Sequence, residues 1–99
     1  MSGDYRNHET PHGIVEENYS ECCNIVYSFT LYRPKNQTEP LTMTQIGDIV
    51  EALIEHYYDI KCVYDDNTYN EDIPANLPLE IAKFQAQLMK QQYEIGYEP

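Results

Sequence analysis

Apolar and polar positions along this chain fall into two different periods. From Thr42 to Tyr58 the side chains of Ile46, Ile49, Val50, Leu53, Ile54 and Tyr57 gather into one stripe when stepped at ~100° per residue, and Asp48, Glu51, Glu55 and Asp59 gather opposite. That spacing predicts an amphipathic helix over Thr42 to Tyr58. Thr42 and Gln45 stand at its start with the spacing of a capping box, in which each side chain satisfies a backbone donor that the first helical turn leaves orphaned. The helix is not self-sufficient. Burying an apolar side chain yields roughly 1.5 to 3 kcal/mol, whereas ordering a residue costs about 1.5 kcal/mol, so a stripe of six side chains cannot order seventeen residues unaided. The rest of the chain, or a second chain, has to cover it.

From Cys22 to Tyr32 the period changes to two. Cys23, Ile25, Tyr27, Phe29 and Leu31 alternate with Asn24, Val26, Ser28 and Thr30, which predicts a half-buried strand. After the helix, Ile60, Cys62 and Tyr64 alternate with Lys61, Val63 and Asp65 and predict a second strand. Arg33 to Pro40 reads as a polar loop and Asp66 to Ala75 as an acidic one. A second helix is expected over Pro78 to Glu94, with Asn76 or Leu77 at its cap and Leu77, Ile81, Phe84, Leu88 and Ile95 at helical spacing until Gly96. Residues 1–20 hold Gly3, Pro11, Gly13 and scattered charges without sustained period, and are expected to form a flexible tail, with Ile14 the one candidate for a third strand. Residues 21–99 then make a single α+β domain: a two- or three-stranded sheet with two helices packed on one face, its strands joined by a parallel crossover.

Composition adds a charge argument. Seventeen acidic residues against six basic ones give a net charge of −11, and ten tyrosines with two phenylalanines and no tryptophan make up the aromatic content. Direct binding of nucleic acid through phosphates needs clustered Lys and Arg, and adhesion to an anionic membrane needs the same, so neither is expected. The favoured partner is a basic protein surface. Three cysteines, two of them the adjacent Cys22 and Cys23, do not make a disulfide framework. With no signal peptide and no apolar run long enough for a bilayer, a reducing cytosol is expected.

On the predicted helix the carboxylates stand three or four residues apart, which stacks them roughly 5 to 6 Å from one another, comparable to the phosphate spacing of a nucleic-acid strand. Together with Asp65, Asp66, Glu71 and Asp72, and with Tyr58 and Tyr69 interleaved, they make a surface suited to arginine: carboxylates for the guanidinium and rings for it to stack on. The partner-binding candidates are therefore Asp48, Glu51, Glu55, Asp59, Tyr58, Asp65, Asp66, Tyr69, Glu71 and Asp72; Tyr27, Tyr57 and Tyr64 are expected in the core. His8, His12, Cys22 and Cys23 could supply zinc ligands, but adjacent cysteines in a strand point to opposite faces. Asp65 to Glu71 suggests a calcium loop without its required glycine and closing glutamate. Cys22, Cys23 or Cys62 with His56 would be the candidates for nucleophilic catalysis, and no local signature supports them. No cofactor or metal is expected, and no enzymatic activity.

In size, charge and lack of a catalytic motif the chain is similar to the small phage-encoded proteins that disarm restriction or CRISPR systems, some of which act as DNA mimics. The likeness is one of character, carried by no motif, and transfers no residue role. The expectation is an acidic inhibitor that occupies the basic surface of a nucleic-acid-binding protein. The alternative is an interaction module whose open sheet edge or apolar patch docks on a partner or on a second copy.

Overall fold

A computed structural model describes residues 4–20, 22–63 and 73–97, with the backbone alone for 58–63 and 97. The fold is α+β, as the periodicity predicts, with a four-stranded mixed sheet and two helices among the described residues. Strands β1 (Asp4–Thr10), β2 (Gly13–Ser20) and β3 (Ile25–Pro34) form an antiparallel meander. Helices α1 (Met43–Val63) and α2 (Leu77–Met89) follow, and β4 (Glu94–Tyr97) returns parallel to β3, giving the order β1-β2-β3-β4. Val15, Val26, Phe29 and Leu31 of the sheet meet Ile46, Ile49, Leu53 and Tyr57 of α1 and Leu77, Phe84 and Leu88 of α2 in one core. The Phe29 and Phe84 rings lie 5.6 Å apart at its centre.

Residues 4–20 are a correction to the expected tail. Asp4–Thr10 and Gly13–Ser20 pair in register as a hairpin. Alternation does exist there, but its inward members include His8 and Glu17, both buried, so a hydropathy reading finds no apolar period. The turn needs Gly13: its φ is +148°, and a Cβ would stand 2.6 Å from the Tyr32 carbonyl oxygen. Thr10 closes the turn, its Oγ1 donating to the Gly13 carbonyl at 2.8 Å.

Within β3 the expected face is reversed at one end. Asn18 pairs with Ser28 but Tyr19 with Val26, so Tyr27 is the extra residue of a β-bulge. The bulge turns both Val26 and Phe29 inward and leaves Tyr27, expected in the core, 48% exposed. The strand also runs on through Arg33 and Pro34, which were expected to begin a loop; the buried Arg33 donates from Nη1 to the Glu39 carbonyl and, at 3.1 Å, to the Tyr93 hydroxyl.

The capping box at α1 is present. Gln45 N–H donates to Thr42 Oγ1 at 3.1 Å and Thr42 N–H to Gln45 Oε1 at 3.0 Å. Ile46, Ile49, Leu53 and Tyr57 are buried, Val50 is half-buried and Ile54 is 38% exposed. The strand expected from Ile60 is instead the last part of α1, which runs to Val63. Neither glycine nor proline interrupts Tyr58 to Val63, and Ile60 follows Tyr57 by three positions, a helical spacing that continues the stripe of α1 and outweighs the short alternation of Ile60 and Cys62. Tyr64 and the acidic loop expected from Asp66 lie outside the described residues up to Ile73.

Helix α2 ends at Met89, short of the expected Glu94. Gln91 takes the left-handed conformation at φ +59°, and the N–H groups of Gln91 and Gln92 donate to the Leu88 and Gln87 carbonyls, both at 2.9 Å, closing a Schellman motif without glycine. The same Gln91 reaches Leu41: its Oε1 accepts from Leu41 N–H at 2.8 Å and its Nε2 donates to Leu41 C=O at 3.1 Å. At the other end Asn76, the N-cap residue, leaves its helix uncapped by side chain and clamps Val26, accepting from its N–H at 2.9 Å and donating to its C=O at 2.7 Å. Two amide side chains thus pin both ends of α2 across the fold.

Removing a clamp strands the backbone groups it satisfied. Asn76→Ala is expected to cost about 1 to 3 kcal/mol, read as a fall in thermal midpoint of several degrees, while Gln87→Ala on the exposed face of α2 leaves the midpoint in place. Equal midpoints for the two variants would refute the clamp.

Candidate functional site

Under the hairpin lies a buried polar cluster. The register sets Arg6 of β1 opposite Glu17 of β2, and His8 one inward step along. Glu17 is fully buried and its Oε1 accepts from His8 Nε2 at 2.7 Å and from the Tyr57 hydroxyl at 2.5 Å. Arg6 Nε lies 3.6 Å from the same oxygen, and its guanidinium stands 4.2 Å over the Tyr19 ring. His56 of α1 meets His8 edge to face, with centroids 4.4 Å apart. Burial by itself would raise the Glu17 carboxyl. The hydrogen bonds from His8 and Tyr57, with the charge of Arg6, outweigh that and hold it below its ordinary value. Tyr57 responds oppositely: burial first, then the Glu17 carboxylate, push its phenol far up, so it stays a donor. The cluster joins β1, β2 and α1. Its carboxylate has no exposed surface at which a substrate could meet it.

The sequence-predicted partner residues divide three ways. Asp48, Glu51 and Glu55 all lie on α1 on the side away from the core, with Glu51 and Glu55 exposed. Asp48 is half-exposed and takes a 3.0 Å contact from His12 Nε2 at the hairpin turn. Tyr58 and Asp59 continue along the same helix, where only the backbone is described. Asp65, Asp66, Tyr69, Glu71 and Asp72 lie outside the described residues. From Asp48 to Asp59 the row spans roughly 16 Å of helix axis at the usual rise. Among the described residues, the ion pairs reach Asp48 but neither Glu51 nor Glu55.

A second acidic surface was not foreseen. Because the helices cover one side of the sheet, the other side presents the rows Glu9, Ile14, Tyr32, Glu94 and Asn7, Glu16, Thr30 across the strands. Tyr5 adds an exposed ring at 63% accessibility beside Asn18. Burial, then the nearby Glu16 and Glu94 carboxylates, push the Tyr32 phenol up. No Lys or Arg stands in these rows. Tyr5, Asn7 and Glu9 do alternate strictly in the sequence, but all three are polar, so their period carries no hydropathy signal.

The remaining candidates disperse. His8 is in the buried cluster, His12 contacts Asp48, and Cys22 and Cys23 sit exposed in the β2–β3 turn, so the four zinc candidates do not meet. Among the described residues, no three His, Cys, Asp or Glu side chains converge on a common point for a metal. His56 packs on His8 and Tyr57, and of Cys62 only the backbone is described. No helix among the described residues is long and apolar enough to cross a membrane.

Because the Glu17 pKa is lower folded than unfolded, the stability it contributes is complete above the unfolded carboxyl value, near 4.3, and is lost as pH falls through the folded one. Glu17→Gln is expected to unfold earlier at pH 7 by about 1.5 to 3 kcal/mol, and the gap from the unaltered chain should shrink steadily below about pH 4.3. Denaturant titrations at several pH values measure this; a constant gap down to acid pH would contradict it.

No family model, curated protein or solved structure matches the chain.

Proposed function

We propose that this protein is a non-enzymatic, cytoplasmic acidic binder that occupies the basic surface of a nucleic-acid-binding protein, in the manner of a DNA mimic that blocks a restriction or CRISPR component. The observation that carries the reading is the row of carboxylates on the outward side of α1, where Glu51 and Glu55 are exposed and, among the described residues, Asp48 alone of the row has an ion-pair contact, with His12. Helix α1 carries the four carboxylates Asp48, Glu51, Glu55 and Asp59 against one lysine, Lys61. Like charges at this spacing weaken a helix by a few tenths of a kcal/mol per pair. A surface that carries such a cost gains from meeting a cationic one, and complementary fields steer the encounter.

Two further features support the reading. The two arginines of the described residues are both engaged inward, Arg6 with Glu17 and Tyr19, and Arg33 with Glu39 and Tyr93. The open sheet side repeats the combination of acid and tyrosine, with Glu9, Glu16 and Glu94 among Tyr5 and Tyr32. Arginine-rich surfaces are met well by that combination.

Capture from a bacterial lysate at low and at high salt tests the proposal. A nucleic-acid-binding protein should be retained at low salt, released as ionic strength rises, and displaced by added duplex DNA. The double variant Glu51→Lys/Glu55→Lys, with unchanged circular dichroism, should capture none of it. Retention by the folded double variant would remove α1 from the site, and capture indifferent to both salt and DNA would overturn mimicry.

A further inference from the structure

Beside the acidic row, α1 and α2 leave an apolar groove of about 500 Å³ between them. Val50, Ile54 and Tyr57 line it from α1, and Leu77, Ile81 and Ala82 from α2. Ile54 is 38% exposed there, and Val50 and Ile81 are only half-buried, so apolar surface that would ordinarily be covered faces the groove. The polar groups within it are few. Gln85 contributes an amide, while the Tyr57 hydroxyl is turned into the core to Glu17. A small-molecule site of this size would be expected to hold several convergent polar groups to fix orientation.

The polar groups stand on the rim instead. Glu51 and Glu55 each follow a groove residue by one position, Val50 and Ile54 respectively, and so lie about 100° further round α1. On the α2 side the nearest cation, Lys83, is held by Glu80 at 3.2 Å. The groove is thus apolar at its floor and acidic along one edge. A second copy of this chain is a poor occupant, because its helical surface would bring the same carboxylate row against this one and each chain carries −11.

We propose that the groove receives a basic amphipathic helix of the partner protein, its apolar residues at i, i+3 or i+4, and i+7 lying between α1 and α2, and its lysines and arginines on the Glu51 and Glu55 edge. This rests on the reading of α1 as the partner-binding surface and adds the form of the partner to it. The apolar contacts add affinity and select an amphipathic partner, while the carboxylate edge keeps the association salt-sensitive and sets the direction in which the helix lies.

The test uses the full chain and three synthetic peptides measured by fluorescence anisotropy: a basic amphipathic helix, a scrambled peptide of the same composition without an apolar stripe, and an acidic amphipathic helix. The basic amphipathic peptide is expected to bind at least tenfold more tightly than the scrambled one and to shift the methyl resonances of Ile54 and Ile81, while the acidic one does not bind. Ile54→Ser/Ile81→Ser should erase the tenfold advantage and leave a weak, salt-sensitive association; Glu51→Lys/Glu55→Lys should abolish binding of both basic peptides. Equal binding of the amphipathic and scrambled peptides, or no methyl shifts in the unaltered chain, would overturn the groove and leave the acidic surface standing. Undiminished binding by the Glu51→Lys/Glu55→Lys variant would overturn the underlying reading of α1. Since the methyl shifts are read in the unaltered chain, the outcome does not depend on the serine variant folding.

Discussion

The burial of one carboxylate constrains this fold more than any other single feature. Glu17 projects from the middle strand of the meander into the core with no exposed surface, where an ionised group survives only if it is paired and hydrogen-bonded. His8 comes from the neighbouring strand and Tyr57 from a helix forty positions away, so the three elements are in place together or the charge is stranded. A one-residue slip of β1 against β2 would turn Arg6 and His8 to the open side and remove two of the three supports. The cluster therefore fixes register, in a hairpin whose own side chains are too polar to fix it by hydrophobic contact. Three of its atoms, Arg6 Nε, His8 Nδ1 and Glu17 Oε2, have no hydrogen-bond partner, which marks the cluster as bought at some cost in stability.

Charge is segregated around that core. Arginines face inward, where they satisfy a buried carboxylate and a loop carbonyl, and acids face outward on both α1 and the open side of the sheet. Among the described residues both arginines are engaged with partners of this chain, while Glu9, Glu51, Glu55 and Glu94 are exposed. Self-repulsion of that surface opposes folding, and the structure answers it locally: the capping box stabilises the start of α1, and His12 at the hairpin turn meets Asp48. Further along the helix the repulsion is left standing at Glu51 and Glu55, beside exposed apolar surface. Exposed carboxylates and an apolar groove thus lie side by side on a helix whose other face is core.

Helix α2 illustrates a different economy. Pro78, Glu80 and a Schellman turn support its termini, but Asn76 makes no side-chain cap and no basic residue stands in its last turn. Both ends are also held by amide side chains that imitate a backbone peptide, Asn76 against Val26 and Gln91 against Leu41. The clamps link the bulged end of β3 and the entry to α1 to the same helix, so the bulge that exposes Tyr27 is tied to the placement of α2.

The amino-acid sequence by itself determined the elements whose signals are local. The stripe and capping box of α1, the alternation of β3 and the start of α2 at Asn76 and Pro78 all depend on neighbours within a turn or two, and the α+β class follows from them. So does the carboxylate row, because helical spacing alone places Asp48, Glu51 and Glu55 together. Tertiary structure decided what distant partners decide. The hairpin of residues 4–20 is a strand pair because Glu17 finds Tyr57, the phase of Tyr27 is set by a bulge opposite Tyr19, and α2 stops at Met89 because Gln91 turns to Leu41. Local periodicity records which side chains share a face; it does not record which polar side chain will be buried with a partner forty or fifty residues off, and at each of those places the long-range hydrogen bond outweighed the local pattern.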